Sequence, residues 1–351
     1  MSPAALGRRG RVATGVAAAL FGIGLAACGA GSSGSVGDRA DTTAPTSVTS
    51  PSASTPAVPV RPPIVAVTSA GTLEVIDPTT GTAQRTLATG ATGDEVARSP
   101  NGATVYFEVG SGCEHQIESV PFTGGSPNVV AAGMDPAVSP DGTELAYARQ
   151  PDQTMPDCLT GLSNPASAFA VVVRQLSSGR ETTYPMSPQA VATGLPAPIT
   201  HLSWAPDGHR LAVSVAAEQD NEGWTVTVFD TTTADYYVGP GVTAVPVTGA
   251  AATDSYYREA VFQPDGNLFT NRVCCSGIPP RTTSSLLVTV DPHSGRIVRQ
   301  VAVGYTTVTH SSLDVDQSGH WLLYLSGDDL LVSDDGARPV SLATGFTAAA
   351  W

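Results

Sequence analysis

The stretch Ser99-Pro100-Asn101-Gly102 decides the fold, because related versions of it return along the chain. Proline presets φ at the second position of a turn, Asp or Asn hydrogen-bonds the local backbone, and glycine accepts the left-handed conformation that closes a hairpin. Similar turns begin at Ser139, Ala205 and Gln263, and a weakened one begins at Asp316. Each of these turns is therefore predicted to join two β-strands.

The segments around each turn are rich in β-branched and aromatic residues. Residues 199–204 precede one turn and residues 210–215 follow it, and each hairpin is followed by a further pair of β-rich runs around a second turn, such as 292–295. Four strands per unit, recurring at roughly 40 to 65 residues, are typical of a propeller blade. A β-sandwich is the alternative, but it does not require the same turn chemistry at the same place in every unit.

The units number six. Blades 2 to 6 are predicted to begin near Asp94, Asp135, Ile199, Arg258 and Ser312. The first unit, residues 64–87, has no innermost strand before it, and the chain ends in an unpaired β-run, residues 345–351. We therefore predict an all-β fold, a six-bladed β-propeller over residues 64–351, closed by the C-terminal strand so that no sheet edge stays open there.

The alternation of these hairpins with runs such as residues 228–233 (VFDTTT) and 290–295 (VDPHSG) resembles the TolB-type and WD-like propeller repeats of exported bacterial proteins. The resemblance covers nearly all of residues 64–351. It implies a fold and leaves the function open, since propellers serve as scaffolds, receptors and enzymes. TolB proteins carry an additional N-terminal α/β domain, in whose place this chain has a linker, so their partner-binding role is not carried over.

The N-terminus has the order of an export signal. Three arginines within residues 8–11 precede an apolar run, residues 12–27, that is shorter than the roughly 20 residues of a membrane-spanning helix. Residues 25–28 (LAAC) resemble the bacterial lipobox, which implies a diacylated cysteine at the new N-terminus. We predict a signal peptide over residues 1–27, a lipid on Cys28 and anchoring to the extracytoplasmic face of the cell membrane. An ordinary signal peptide with a chance cysteine is the alternative.

Residues 28–63 are dominated by Ser, Thr, Pro, Ala and Gly. Such a segment cannot bury enough surface to offset its ordering entropy, so it is predicted to be a disordered tether, with Ser/Thr-Pro tracts that are candidates for O-glycosylation. Loss of a signal with three arginines and no acidic residues changes the formal charge from −14 to −17. This field repels nucleic acid, which we exclude as a partner. We expect a monomer.

The first residues of the innermost strands are rich in ionisable groups. These strands line the central channel of a propeller, so their starts are expected to ring one mouth. Carboxylates and imidazoles that converge there could hold a metal ion or a cationic ligand, whereas the alternative is a solvated rim of polar loop ends. No metal or cofactor is specified. The candidate ligand-binding residues are Asp94, Glu95, Asp135, His201, Arg258, Glu259 and His310.

Aromatic residues divide into two groups. Trp204, Phe262, Trp321 and Tyr324 are predicted to lie in the core between blades. The candidates for stacking on a ligand are Trp224, Tyr256 and Tyr257, near loop ends.

Two classes of function remain open. The first is a membrane-tethered binding or scaffold module for a cell-envelope protein, a glycan or a peptidoglycan fragment, and long loops on the face of the mouth favour it. The second is an extracytoplasmic hydrolase or oxidoreductase that uses the mouth. No GxSxG, HExxH, phosphate-loop or CxxC motif is present, and no catalytic residue is predicted. We favour the binding module.

Four further cysteines, Cys113, Cys158, Cys274 and Cys275, lie in a domain predicted to be exported, where disulfides persist. The first two fall in equivalent loops of the neighbouring blades 2 and 3, whereas the last two belong to blade 5, across the ring. Because a disulfide needs Cα atoms within about 7 Å, we expect a Cys113–Cys158 bond. Cys274 and Cys275 could then form a bridge between adjacent residues, but their Cα atoms are closer than the usual disulfide range, so that bridge would be strained.

Overall fold

The computed structural model describes residues 60–110, 114–149, 169–185, 199–216, 224–237, 254–275, 283–301, 310–334 and 337–351. These residues form six antiparallel sheets of four strands each, which confirms the predicted all-β, six-bladed propeller. Within the same ranges, no helix is long and apolar enough to cross a membrane.

Each blade is one sheet, in which the strands follow one another from the channel outward. Blade 1 consists, in that order, of β24 (Phe346–Ala350), β1 (Ile64–Thr68), β2 (Thr72–Ile76) and β3 (Ala83–Thr89). Blade 2 consists of β4 (Ala91–Arg98), β5 (Thr104–Val109), β6 (Gln116–Pro121) and β7 (Asn128–Ala132). Blade 3 consists of β8 (Met134–Val138), β9 (Glu144–Arg149), β10 (Ala170–Gln175) and β11 (Glu181–Pro185).

The other three blades have the same order. Blade 4 consists of β12 (Ile199–Trp204), β13 (Arg210–Ala216), β14 (Trp224–Asp230) and β15 (Asp235–Tyr237). Blade 5 consists of β16 (Asp254–Phe262), β17 (Leu268–Cys275), β18 (Thr283–Val290) and β19 (Ile297–Gln300). Blade 6 consists of β20 (His310–Val315), β21 (Trp321–Ser326), β22 (Asp329–Asp334) and β23 (Val340–Thr344).

The innermost strands close a ring. They contact one another in the order β4, β8, β12, β16, β20, β24 and back to β4. In blade 1 the C-terminal strand pairs antiparallel with β1, from Val65 opposite Ala350 to Thr68 opposite Phe346. The predicted closure by the end of the chain is thus confirmed.

The hairpin turns form as their sequence predicts. In the turn of blade 3, the Ser139 hydroxyl donates to Asp141 Oδ1 at 2.7 Å, and the same carboxylate accepts the Thr143 N–H at 3.0 Å. Gly142 adopts a φ of 72°, and its N–H donates to the Ser139 carbonyl at 2.8 Å. The turn residues therefore fix both the hairpin and the point at which each innermost strand ends.

The core lies between neighbouring blades. The indole of Trp204 is buried, and its Nε1–H donates to the Ala137 carbonyl of blade 3 at 3.0 Å. Phe262 is buried in the apolar cluster between blades 4 and 5, Tyr324 in the one between blades 5 and 6, and Trp321 in the one between blades 6 and 1. The prediction that these four aromatic residues form the core is confirmed.

Candidate functional site

Every innermost strand has an irregular register near its start. In blade 5, for example, Arg258 pairs with Asn271 and Ala260 pairs with Thr270, so Glu259 is an extra residue. Such β-bulges redirect a side chain, and they concentrate at barrel rims and functional sites. Three bulge residues adopt left-handed backbone conformations that are uncommon outside glycine, with φ of 54° at Asp135, 49° at Glu259 and 53° at Ser312.

Each innermost strand has one residue at an equivalent position of the blade. In blades 2 to 6 this residue lies four positions before the first residue of the hairpin turn. In blade 1, where no turn follows β24, it is the residue of β24 at the matching register. We call this set the channel ring. Its members are Glu95, Asp135, His201, Glu259, Ser312 and Ala348. All six are buried, with at most 7% of their surface exposed. The interpretation of a solvated rim is therefore wrong for the four ionisable members, because the bulged strands turn them inward.

A hydrogen bond crosses the channel within this ring. His201 Nδ1 lies 2.8 Å from Glu95 Oε1, although blade 3 separates blade 2 from blade 4. Burial lowers the pKa of His201, while the carboxylates of Glu259 and Asp314 act in the opposite direction. When the imidazole is neutral and the Glu95 carboxyl group is ionised, Nδ1 carries the proton, because an ionised carboxylate can only accept a hydrogen bond.

The carboxyl groups near this bond hold their protons more tightly than usual. Burial and the nearby Glu95 raise the pKa of Glu259 to about 7, although His201 and Arg258 oppose the shift. Burial raises the pKa of Asp314 to about 6, even though its carboxylate accepts the backbone N–H groups of Trp351 and Val315, each at 2.8 Å. The inner end of the channel is thus desolvated, and negative charge on its carboxyl groups is unfavourable unless a cation compensates it.

A buried carboxylate outside the ring, on β5, supports it. Glu108 Oε1 accepts the backbone N–H of Asp135 at 2.6 Å, and Glu108 Oε2 lies 3.5 Å from His115 Nδ1. A Cβ atom at position 93 would lie 2.5 Å from the Cβ of Glu108. Gly93 is therefore required for the close approach of β4 to this carboxylate, which holds the bulge of β8 in place.

A cavity of about 630 Å³ runs along the channel and is lined by the innermost strands of all six blades. Glu95 and His201 line one end of it, Asp314 lines it two residues nearer the turns, and the hairpin-turn residues Asn101 and Asp141 line the other end. Four to five residues of extended strand separate these two levels, which corresponds to roughly 15 Å. The volume is in the range of pockets that bind small molecules or short chain segments.

The other predicted site residues lie around the ring. Arg258 Nε is 3.8 Å from Glu259 Oε1, so Arg258 offsets part of the negative charge. Asp94 and His310 lie in the innermost strands β4 and β20, and Trp224 and Tyr256 lie at the starts of β14 and β16; the side chains of these four are outside the described part of the structure. Tyr257 is half-buried and packs against the apolar clusters formed by β14 and β18.

Sequence reasoning missed Asp314, Ser312 and Glu108. Asp314 is two positions nearer its turn than the ring residues, and Glu108 belongs to a second strand, so a search of strand starts passes over both. Ser312 could have been found by counting back four residues from Asp316, since the same count gives Glu95 and His201 in their blades.

Several predicted features lie beyond what the structure describes. Cys28, Cys113 and Cys158 are outside the described residues, and Cys274 and Cys275 are the last two residues of β17, with side chains that are not described. The disulfide pairing therefore stays a prediction. Within the described ranges, no group of three or more His, Cys, Asp or Glu side chains is arranged to hold a metal ion.

Comparison with known proteins identifies the fold. No protein-family model matches the chain, and no curated protein matches its sequence. TolB from Acinetobacter baumannii superimposes with a TM-score of 0.52 at 12% identity, over 82% of this chain and 65% of that one. A chain of a nidogen/laminin complex superimposes with a TM-score of 0.53 at 10% identity, over 82% of this chain and 97% of that one. The chain thus spans less than two thirds of the TolB that it matches, and the likeness is one of fold.

Proposed function

We propose that this TolB-like six-bladed propeller is an extracytoplasmic binding module, tethered to the membrane, that takes a segment of its ligand into the central channel. The cavity of about 630 Å³ carries the proposal, because one end of it is bounded by buried polar groups and the other reaches the hairpin turns. A concave site with few polar groups, placed to orient a ligand, is the usual form of a binding pocket.

The hairpin-turn end is the entrance that the geometry favours. Four prolines of the repeated turns line the cavity there: Pro100, Pro140, Pro206 and Pro264. Proline fixes φ, so this rim is organised before a ligand arrives and loses little entropy on binding. The long loops that favoured a binding role in the sequence belong to the opposite end of the strands.

The proposal includes a flexible connection between the membrane and the propeller. Residues 28–63 would connect a lipid on Cys28 to the propeller, and about 35 residues at about 3.1 Å each could reach on the order of 100 Å when fully extended. The ligand is then a component of the cell envelope, either a protein or a glycan. The field of the acidic chain argues against nucleic acid.

The anchor is tested by Cys28→Ala. Without the thiol no acyl group can be attached, so we expect the variant to lose labelling by a fatty-acid analogue and to accumulate as the unprocessed precursor. Cys113→Ala is the matched control and should be labelled like the wild type. Equal labelling of Cys28→Ala and the wild type would contradict the anchor.

Site-specific photo-crosslinking in living cells tests the binding role. A photo-reactive amino acid placed at Asn101, which is exposed and lines the cavity, should form adducts with an envelope component that mass spectrometry identifies. The control position is Val298, which is 58% exposed on the outermost strand of blade 5. Adducts of the same identity and yield at both positions, or at neither, would contradict a channel that receives the ligand.

A further inference from the structure

A buried nitrogen without a hydrogen-bond partner in the described part of the chain lies at the inner end of the channel. His201 Nδ1 is engaged with Glu95, which leaves Nε2 as the acceptor of the neutral imidazole. His201 is 94% buried and lines the cavity, and no hydrogen-bond partner of Nε2 occurs among the described residues. A buried acceptor of this kind has a free-energy cost until a donor reaches it.

The neighbours of this imidazole are acceptors as well. Asp314 lies deep in the channel, but part of its surface faces the cavity, and its carboxylate acts electrostatically on His201. Glu259 lies behind them, and its Oε2 is buried without a hydrogen-bond partner in the described part of the chain. A ligand group that complements this set must donate several hydrogen bonds and carry a positive charge.

We propose that the inner end of the channel binds the primary ammonium group of an elongated molecule, which donates to Nε2 of His201 and whose positive charge is compensated by the carboxylates of Glu95 and Asp314. This assignment rests on the channel as the binding site and names the chemical class that it takes. An ammonium group donates hydrogen bonds and carries a positive charge, so it can satisfy the imidazole nitrogen on β12 and offset the carboxylates on β4 and β20. The cavity, roughly 15 Å long, accommodates the chain that carries this group.

Binding should release a proton. The groups at this site are Glu95 of β4, Asp135 of β8, His201 of β12, Arg258 and Glu259 of β16, Asp314 of β20 and Asp316, which follows β20 and acts on Asp314. Glu259, with a pKa of about 7, and Asp314, with a pKa of about 6, are partly protonated in weakly acidic solution. When an ammonium group takes the place of such a proton, the carboxyl group becomes a carboxylate and the proton passes to the buffer. Affinity therefore rises with pH, by up to about tenfold per unit below pH 7 for one released proton.

Calorimetric titration of the whole mature protein tests this assignment. The probes are cadaverine, a free diamine, and Nα-acetyl-lysine amide, in which the ammonium group is a peptide side chain; pentanediol is the neutral control. We expect both amines to bind, pentanediol not to bind, and the heat of binding to change with the ionisation enthalpy of the buffer. The tighter amine distinguishes a free amine from a lysine side chain as the natural source.

Two substitutions locate the site. Glu95→Gln keeps the shape but removes a charge-assisted bond, so cadaverine should bind about 10- to 100-fold more weakly. The control is Asp141→Asn, which removes one negative charge at the other end of the cavity. The turn should tolerate this change, because the equivalent turn of blade 2 has asparagine, Asn101, at the same position. Because solvent ions screen a charge over roughly 15 Å, Asp141→Asn should bind cadaverine within about twofold of the wild type. If Glu95→Gln does not fold, Asp314→Asn takes its place, since its amide oxygen can still accept one of the two backbone N–H groups that the carboxylate accepts.

Equal weakening by Glu95→Gln and Asp141→Asn would overturn the assignment. So would equal binding of cadaverine and pentanediol, or failure of the folded wild type to bind either amine. In each of these cases the crosslinks from Asn101 could persist, so the ammonium site can fail while the proposed binding role stands. Loss of the crosslinks together with normal amine binding would instead contradict the proposed function.

Discussion

Deletion of residues 345–351 should leave the chain without a stable propeller. The deletion removes β24, including its hydrogen bonds to β1, and it exposes one edge of blade 1 in the channel. It also removes Phe346 and Trp351, which are buried between blades 1 and 6. The loss of one buried aromatic side chain costs about 3 to 5 kcal/mol, so two of them with the strand exceed the total stability of many domains, about 5 to 15 kcal/mol. Circular dichroism and gel filtration should report unfolded or aggregated protein.

A circular permutant provides the control. Residues 345–351 are moved to the start of the propeller and joined to Ile64 by a copy of the turn at residues 139–144, so that blade 1 gains the connection that the other five blades have. This protein contains the same strand and should melt within a few degrees of the wild type. A truncated chain that melts cooperatively at the temperature of the wild type would contradict the role of β24.

The fold could be predicted from the sequence because its information is local and repeated. The turn that begins at Ser139 needs only nearby residues, and the same chemistry fixes the turns that begin at Ser99, Ala205 and Gln263. Ring closure followed from counting, since one unit lacked an innermost strand and the chain ended in an unpaired one. The predicted starts of blades 2 and 5 were a few residues late, because β4 begins at Ala91 and β16 at Asp254.

The site was predictable only in part. The sequence identified Glu95, Asp135, His201 and Glu259, but not that they are buried or that two of them bond across the channel. Burial depends on the bulges, and a bulge arises from the match between two strands, which a single strand does not encode. For the same reason, Asp314 and Glu108 could not be assigned from strand starts. Their roles depend on the tertiary neighbours Trp351 and Asp135.

Glu259→Gln should stabilise the propeller at pH 8, by on the order of 1 to 3 kcal/mol, and much less at pH 4. The folded state raises the pKa of this carboxyl group from 4.5 to about 7. The folded protein therefore binds this proton more tightly than the unfolded chain does, and stability falls as the pH rises from about 4.5 to 7. A shift of this size corresponds to about 3 kcal/mol, from which the imperfect hydrogen bonding of a buried amide is subtracted.

The measurement is urea unfolding of the wild type and Glu259→Gln at pH 4, 5, 6, 7 and 8. The wild type should lose stability relative to the variant as the pH rises, and the difference should level off above pH 7, where the carboxyl group is ionised in both states. Glu118→Gln, on the third strand of blade 2, removes the same charge outside the channel and serves as the control. If the difference between Glu259→Gln and the wild type is the same at every pH, then Glu259 does not hold a proton in the folded channel, which contradicts the raised pKa.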